Sequence, residues 1–288
     1  MRGRITKGVG GLYTVEADGV MYECSVRGKF RQKNYLSPLV GDFVDIVQID
    51  EETSAINEIL PRKNMLIRPN VANIDNLIIT FAVQSPKPDL LLVDKLSAVA
   101  LSKDIGVIIS ITKSDLNDAS EYVSIYESAG FPVIVTGKDN RDGVEKLKEL
   151  TKDKVTAFAG ASGVGKSTLL NSFGEEFSLK TGNVSEKIER GKHTTRHAEL
   201  LSLSYGGYVL DTPGFSSFEA TDIDIPACFP EFASHMEYCR FNDCTHRNEP
   251  DCGVKAALER GEIFASRYDS YIKMVEEKKE YEKYNPKG

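Results

Sequence analysis

A chain of 288 residues, 41% hydrophobic and 27% charged, is long enough for one core of ordinary size plus one or two small modules, so more than one domain is expected. It holds no run of about 18 apolar residues that would span a bilayer, which excludes a helical membrane protein. The net charge of −7 argues against a generally basic nucleic-acid binder, so any contact with a phosphate backbone must come from a local patch. The first residues, from Met1-Arg2-Gly3-Arg4 to Lys7, carry charge without a following apolar stretch; no secretory signal is read, and a cytoplasmic location is expected.

Residues 1–64 hold nine basic and nine acidic residues in short alternating runs broken by glycine turns. Strands are predicted at 4–6, 12–17, 20–26, 43–49 and 55–59, and five short strands in so few residues suggest a small barrel, with the OB-fold as the leading candidate. Between the third and fourth lies a stretch in which Arg27, Lys29, Arg31 and Lys33 interleave with Phe30 and Tyr35. Cations set among aromatics suit phosphate contact with base stacking, and they equally suit a solvated loop; an OB-fold host favours RNA.

From residue 65 to about 218 the pattern changes to continuous apolar runs alternating with helical periodicity, which predicts a parallel sheet covered by helices. Strands are expected at 76–83, 105–111, 132–135 and 155–159, with helices at 90–102, 119–129 and 144–150. After the last strand comes Gly160-Ala161-Ser162-Gly163-Val164-Gly165-Lys166-Ser167, a GxxxxGK[ST] loop opening a helix-like run. Glycines there let backbone N–H groups turn inward around a β-phosphate, Lys166 bridges β- and γ-phosphates, and Ser167 offers a hydroxyl to Mg²⁺. Thr168, the next residue, joins the nucleotide-binding set.

Thr112-Lys113-Ser114-Asp115 closes the strand at 105–111 and resembles the [NT]KxD guanine motif of GTPases. A carboxylate at Asp115 accepts the exocyclic amine and N1–H of guanine, a donor pair that adenine lacks. Thr136-Gly137-Lys138 follows the next strand and resembles the [SA]-x-K loop that backs the base, although a simple turn reads the same way in isolation. Asp211-Thr212-Pro213-Gly214 follows a strand at 207–210 and resembles the DxxG motif, with Asp211 on a Mg²⁺-bound water and the Gly214 N–H on the γ-phosphate. Between these lies Gly191-Lys192-His193-Thr194-Thr195-Arg196-His197, which resembles a switch loop; Thr195 is the favoured Mg²⁺ ligand and Thr194 the alternative. In ordinary GTPases the P-loop comes first and the guanine motif last; here the guanine motif at 112–115 precedes the P-loop, so the order is circularly permuted.

Beyond residue 218 the composition turns acidic, ten basic against fifteen acidic residues, and two helices are expected within 254–284. Of the five cysteines, Cys239, Cys244 and Cys252 fall within fourteen residues together with His246. Three thiolates and an imidazole suit a closed tetrahedral zinc site, but the single residue between Cys244 and His246 is unusual, and buried unligated cysteines remain the other reading.

These motifs together resemble the small-ribosomal-subunit-dependent GTPase family, often called RsgA, over nearly the whole chain. The likeness covers the barrel, TKSD, GASGVGKS, GKHTTRH, DTPG and the Cys/His segment through Gly253-Val254-Lys255-Ala256-Ala257. It implies an N-terminal OB-fold at 1–64 that binds RNA, a permuted α/β P-loop GTPase domain at 65–218 and a small α-helical zinc domain at 219–288. It also implies one structural Zn²⁺, Mg²⁺ with GTP, and late maturation of the 30S subunit, with GTP, GDP and the subunit's rRNA as partners. One departure is Thr112, where that family commonly has asparagine, which predicts a weaker contact ordering the base loop. Phe215 stands where glutamine often orients water, so hydrolysis is expected to be slow alone and stimulated by the subunit, with His193 as the candidate catalytic group. A nucleotide-set binding module without turnover and a GTPase acting on another RNA such as tRNA are the rival readings. No membrane partner is expected, and a monomer is.

Overall fold

Short alternating runs close the N-terminal barrel. In the computed structural model, which describes residues 1–26, 36–50, 53–67, 69–138, 140, 142–173, 198–211 and 223–285, β1 (Arg2–Val9), β2 (Leu12–Ala17), β3 (Val20–Val26), β4 (Phe43–Gln48) and β5 (Ser54–Ile59) pair in a ring. β1 lies antiparallel to both β2 and β4, β2 to β3 and β4 to β5, while β3 and β5 run parallel and complete the circuit. This is the OB-like barrel that the alternation predicts. Ile5, Val15, Cys24, Val44, Ile46 and Ile56 fill its interior, one face of each strand turned inward.

A hairpin too short for periodicity to reveal follows, β6 (Met65–Ile67) with β7 (Asn70–Ala72). An ion pair clasps the barrel to the segment that leads into this hairpin. Asp42 is fully buried, and Arg62 reaches it with two parallel bonds, Nε to Oδ1 at 2.7 Å and Nη2 to Oδ2 at 2.8 Å. The Leu39 N–H also donates to Asp42, and Arg62 reaches the Ser37 carbonyl, both at 2.7 Å.

The α/β part supplies β8 (Asn76–Ala82), α1 (Leu90–Leu101), β9 (Gly106–Thr112), α2 (Ser120–Ser128), β10 (Val133–Val135), α3 (Asp142–Thr151), β11 (Val155–Ala159), α4 (Lys166–Asn171), β12 (Glu199–Ser202) and β13 (Tyr208–Asp211). By density of contacts the chain divides into two compact units, Met1–Leu77 with Lys148–Phe158 and Ser167–Phe215, and Ile78–Leu147 with Ala159–Lys166 and Ser216–Gly288. In the second unit β10, β9 and β8 are neighbours in that order, with β10 and β9 parallel. In the first, β11 and β13 run parallel as expected, but β12 lies antiparallel to β13 and pairs with barrel strand β1 through Lys7 and Glu199. The sheet is therefore not wholly parallel, and its antiparallel strand is what joins it to the barrel.

Among its described residues the C-terminal segment of the second unit has three α-helices, α5 (Ala233–Met236), α6 (Gly253–Glu259) and α7 (Ala265–Tyr284). Its core of Ile225, Phe229, Phe232, Val254, Tyr271 and Met274 includes Ala98 of α1, so this small segment folds against a helix of the α/β part. No helix among the described residues is long and apolar enough to cross a membrane.

The clasp yields an expectation. Replacing Arg62 by Ala leaves the Asp42 carboxylate buried without its cation, which costs about 3 kcal/mol or more. Urea unfolding of Arg62→Ala should show a lower midpoint, and an unchanged midpoint would remove the clasp from the stability of the barrel.

Candidate nucleotide site and metal centre

β11 ends at Ala159, and residues 160–165 turn directly into α4, whose first residue is Lys166. The turn needs glycine. Gly160 sits at φ 137°, and a Cβ there would lie 2.0 Å from the Thr80 carbonyl oxygen, so the loop rests on β8 backbone to backbone. The Lys166 ammonium donates to the carbonyls of Gly160 at 2.8 Å and Ala161 at 2.6 Å, arching over the loop. Burial pushes its pKa below the ordinary lysine value, a cost that a phosphate anion beside it offsets. Ser167 and Thr168 follow on α4.

The guanine-type loop is tied to this one. Thr112 ends β9, and its hydroxyl donates to the Val164 carbonyl, with the Phe81 carbonyl also in reach at 3.3 Å. Lys113 adopts a left-handed φ of 58°, and its ammonium donates to the Gly163 carbonyl at 2.9 Å and to that of Ser85. Its stem is thereby laid along the P-loop.

The Thr136–Lys138 turn closes the far side. Ser114 N–H donates to the Thr136 carbonyl at 3.2 Å, and Lys138 N–H donates to Asp115 Oδ1 at 3.3 Å. Gly137 permits the approach, since a Cβ on it would meet Ser114 Oγ at 2.5 Å and the Asp115 nitrogen at 3.3 Å. Segment 112–115 therefore touches both of the other segments that the sequence singles out, 136–138 and 160–166, within one unit. Asp211 ends β13, paired in register with Glu199. Thr194, Thr195, His193, Gly214 and Phe215 lie outside the described residues, as do Arg27, Lys29, Phe30, Arg31, Lys33 and Tyr35.

Cys239, Cys244, His246 and Cys252 bring their ligand atoms within 4.8 Å of one another. His246 Nδ1 is 3.6 Å from Cys239 Sγ and 3.4 Å from Cys252 Sγ, and the two sulfurs are 3.9 Å apart. A tetrahedron with ordinary zinc–sulfur and zinc–nitrogen bonds has edges of about 3.8 Å between sulfurs and about 3.5 Å from sulfur to nitrogen. The residues fit such an ion. The short Cys244-x-His246 spacing is accommodated by a left-handed backbone at His246, φ 54°. Glu249 braces that turn by accepting the N–H groups of Thr245 at 3.0 Å and Arg247 at 2.9 Å, which helps hold its carboxyl down at about 2, with the Thr245 hydroxyl as the leading cause. Burial first, then the neighbouring thiols, pushes Cys244 up to about 12, while burial lowers the His246 pKa. Crowded thiols and a neutral imidazole are the state a cation relieves.

Sequence reasoning missed Ser85, Thr80 and Glu249. The first two act through main-chain carbonyls, which any residue offers and no motif can flag. Glu249 follows Thr245 at the spacing of a side-chain-capped turn, which is the one signal available.

A strand-ending P-loop locked to a guanine-type loop that precedes it in the chain defines a circularly permuted P-loop GTPase. The chain belongs to the RsgA GTPase family, whose model matches residues 59–221, with the RsgA N-terminal domain matching residues 2–56. Relatives called "Small ribosomal subunit biogenesis GTPase RsgA" include those of Ruminiclostridium cellulolyticum, 47% identical over 99% of this chain and 96% of its own, and Alkaliphilus metalliredigens, 46% identical over 98% and 99%. Among solved structures, YloQ, described as a circularly permuted GTPase, superposes with a TM-score of 0.82 at 34% identity, covering 97% of this chain and 95% of its own. YjeQ from Thermotoga maritima gives a TM-score of 0.81 at 37% identity, covering 96% and 98%.

Because Gly137 has no room for a side chain against Ser114 and Asp115, Gly137→Ala should displace the base loop. The expected result is GDP binding weakened by roughly tenfold, ~1.4 kcal/mol, with thermal stability little changed. Titration with a fluorescent guanine nucleotide reads this, and unaltered affinity would show that the 136–138 turn does not shape the base site.

Proposed function

We propose that this chain is a GTPase of small-subunit biogenesis, binding GTP and GDP at the site above and hydrolysing GTP when engaged with the small (30S) ribosomal subunit late in its maturation. The observation that carries the reading is the tie between the guanine-type loop and the P-loop; the names of its relatives supply the subunit. Asp115 takes the guanine edge, Lys113 flanks the base, and Thr136, Gly137 and Lys138 back it. Residues 160–168 cradle the phosphates, Lys166 lies on the β- and γ-oxygens, and the Gly214 N–H meets the γ-phosphate. Ser167, Thr195 and Asp211 would hold magnesium, which neutralises charge on the β- and γ-oxygens. Cys239, Cys244, His246 and Cys252 would hold one structural zinc ion, which supplies folding free energy to the C-terminal segment.

We assign the barrel, residues 1–64, to rRNA, with Arg27, Lys29, Arg31 and Lys33 on phosphate and Phe30 stacking on a base. Residues 65–218 form the nucleotide domain and 219–288 the metal domain. The protein acts in the cytoplasm as a monomer. His193 orients the attacking water once the subunit orders the switch loop, a role that Phe215 lacks the group to fill.

Turnover measured alone and with small subunits tests the reading. Alone it should be slow, and the subunit should raise it by at least about tenfold, a barrier lowered by ~1.4 kcal/mol. His193→Ala should retain GTP and subunit binding and lose most of that stimulation; undiminished stimulation would assign the group to the ribosome instead. Elemental analysis should find one zinc per chain, and a chelator should lower the melting temperature. Zinc-free protein that melts unchanged would discard the metal site.

A further inference from the structure

One helix stands between the nucleotide loop and the metal segment, and its two sides face different partners. At 100° per residue, Leu92, Val93 and Leu96 of α1 lie on one side, and Leu91, Asp94, Lys95 and Ala98 on the other. The first side, with the N-cap residue Asp89, lines a cavity of about 50 Å³ together with Thr80 and Phe81 of β8 and Gly160, Ala161 and Val164 of the P-loop. The second side meets the C-terminal segment. Leu91 and Ala98 join its apolar core, Lys95 pairs with Glu277 of α7 at 2.6 Å, and Asp94 accepts from Arg267 of α7 at 2.5 Å.

Arg267 is the centre of that contact. Both it and Asp94 are 1% exposed, and Arg267 also grips Glu231, Nε to Oε1 at 2.6 Å and Nη2 to Oε2 at 3.2 Å. Three rings enclose the guanidinium, Phe229 at 4.6 Å, Phe131 at 5.5 Å and Tyr126 at 5.8 Å. A rigid planar fork with its donors committed at fixed angles sets where α7 sits along α1 in a way that apolar packing does not.

We propose that α1 couples the C-terminal metal segment to the P-loop, and that Arg267, acting through Asp94, is the positioning residue of that coupling. A displacement of α7 moves α1, and with it one side of the cavity that the P-loop also lines. Nucleotide affinity therefore depends on how the C-terminal segment is held, and by reciprocity bound nucleotide alters how firmly that segment is held. The proposal rests on the GTPase reading, which guanine nucleotide binding by the unaltered chain tests first and separately.

The first experiment needs no substitution. Amide hydrogen exchange of the full chain with and without GDP should show slower exchange in the first part of α7, residues 265–274, as well as in the P-loop; protection confined to the P-loop overturns the coupling. The second compares Arg267→Met, which keeps much of the packing but frees Asp94, with Glu231→Gln, which weakens the other arm and leaves the Asp94 contact. Both should melt at lower temperature, but only Arg267→Met should weaken GDP binding, by about fivefold or more. Destabilisation by both with GDP affinity unchanged in both would make the network purely structural and overturn the proposal.

Discussion

The arrangement of the motif loops depends on two hydrogen bonds, those from the Thr112 hydroxyl to Val164 and from the Lys113 ammonium to Gly163. They join loops that are 52 and 50 residues apart at these pairs, each loop ending a strand. A loop that reads the base and a loop that holds phosphate must keep a fixed separation, because a nucleotide has one length. The constraint is spatial and indifferent to chain order. Cutting the sheet elsewhere and rejoining it changes loop-closure entropy only logarithmically while the strand ends stay in place. The reversed motif order is therefore compatible with an intact site.

Rotation of the chain has a consequence at the barrel. Strand β13, which ends in Asp211, pairs with β12, and β12 pairs with β1. Glu199 is opposite Asp211 on one side and opposite Lys7 on the other, with a Lys7–Glu199 ion pair of 3.1 Å. Arg4 of β1 lies over the Phe43 ring at 4.1 Å and faces Tyr208 of β13 at 5.5 Å. The barrel and the strand that ends in Asp211 thus share one hydrogen-bonded ladder.

What was legible in the sequence was local. The barrel strands at 12–17 and 20–26 and the strand at 155–159 coincide with their predicted bounds, because period-two alternation and continuous apolar runs are read within a few residues. The motif loops were legible because glycine, lysine and aspartate at fixed offsets carry their own chemistry. The hairpin of β6 and β7 was not, since three-residue strands hold no period. Neither was β12, whose partners are set by tertiary pairing rather than by its own four residues. Arg267 and Asp94 are 173 residues apart, and each reads alone as an ordinary helical surface charge. Only three-dimensional packing shows that both are buried. The metal cluster sits between these cases, its residue types legible and its odd spacing explained only by the left-handed backbone at His246.

The C-terminal segment is held by two different means, and the difference matters. The Cys₃His cluster, whose residues could hold a metal ion, joins positions 239 to 252 within the segment, and an apolar cluster adds area to that. The apolar contact with α1, through Leu91 and Ala98, carries no charge of its own. A buried arginine between two carboxylates is a poor way to gain stability, since desolvation of all three groups consumes most of the Coulomb gain, and apolar residues of similar volume often do as well. Its distinct property is direction: a guanidinium satisfies Asp94 and Glu231 together only in a narrow range of positions. Orientation is therefore what the network contributes beyond the apolar core, and it is imposed on a helix whose other side lines a cavity that the P-loop also lines.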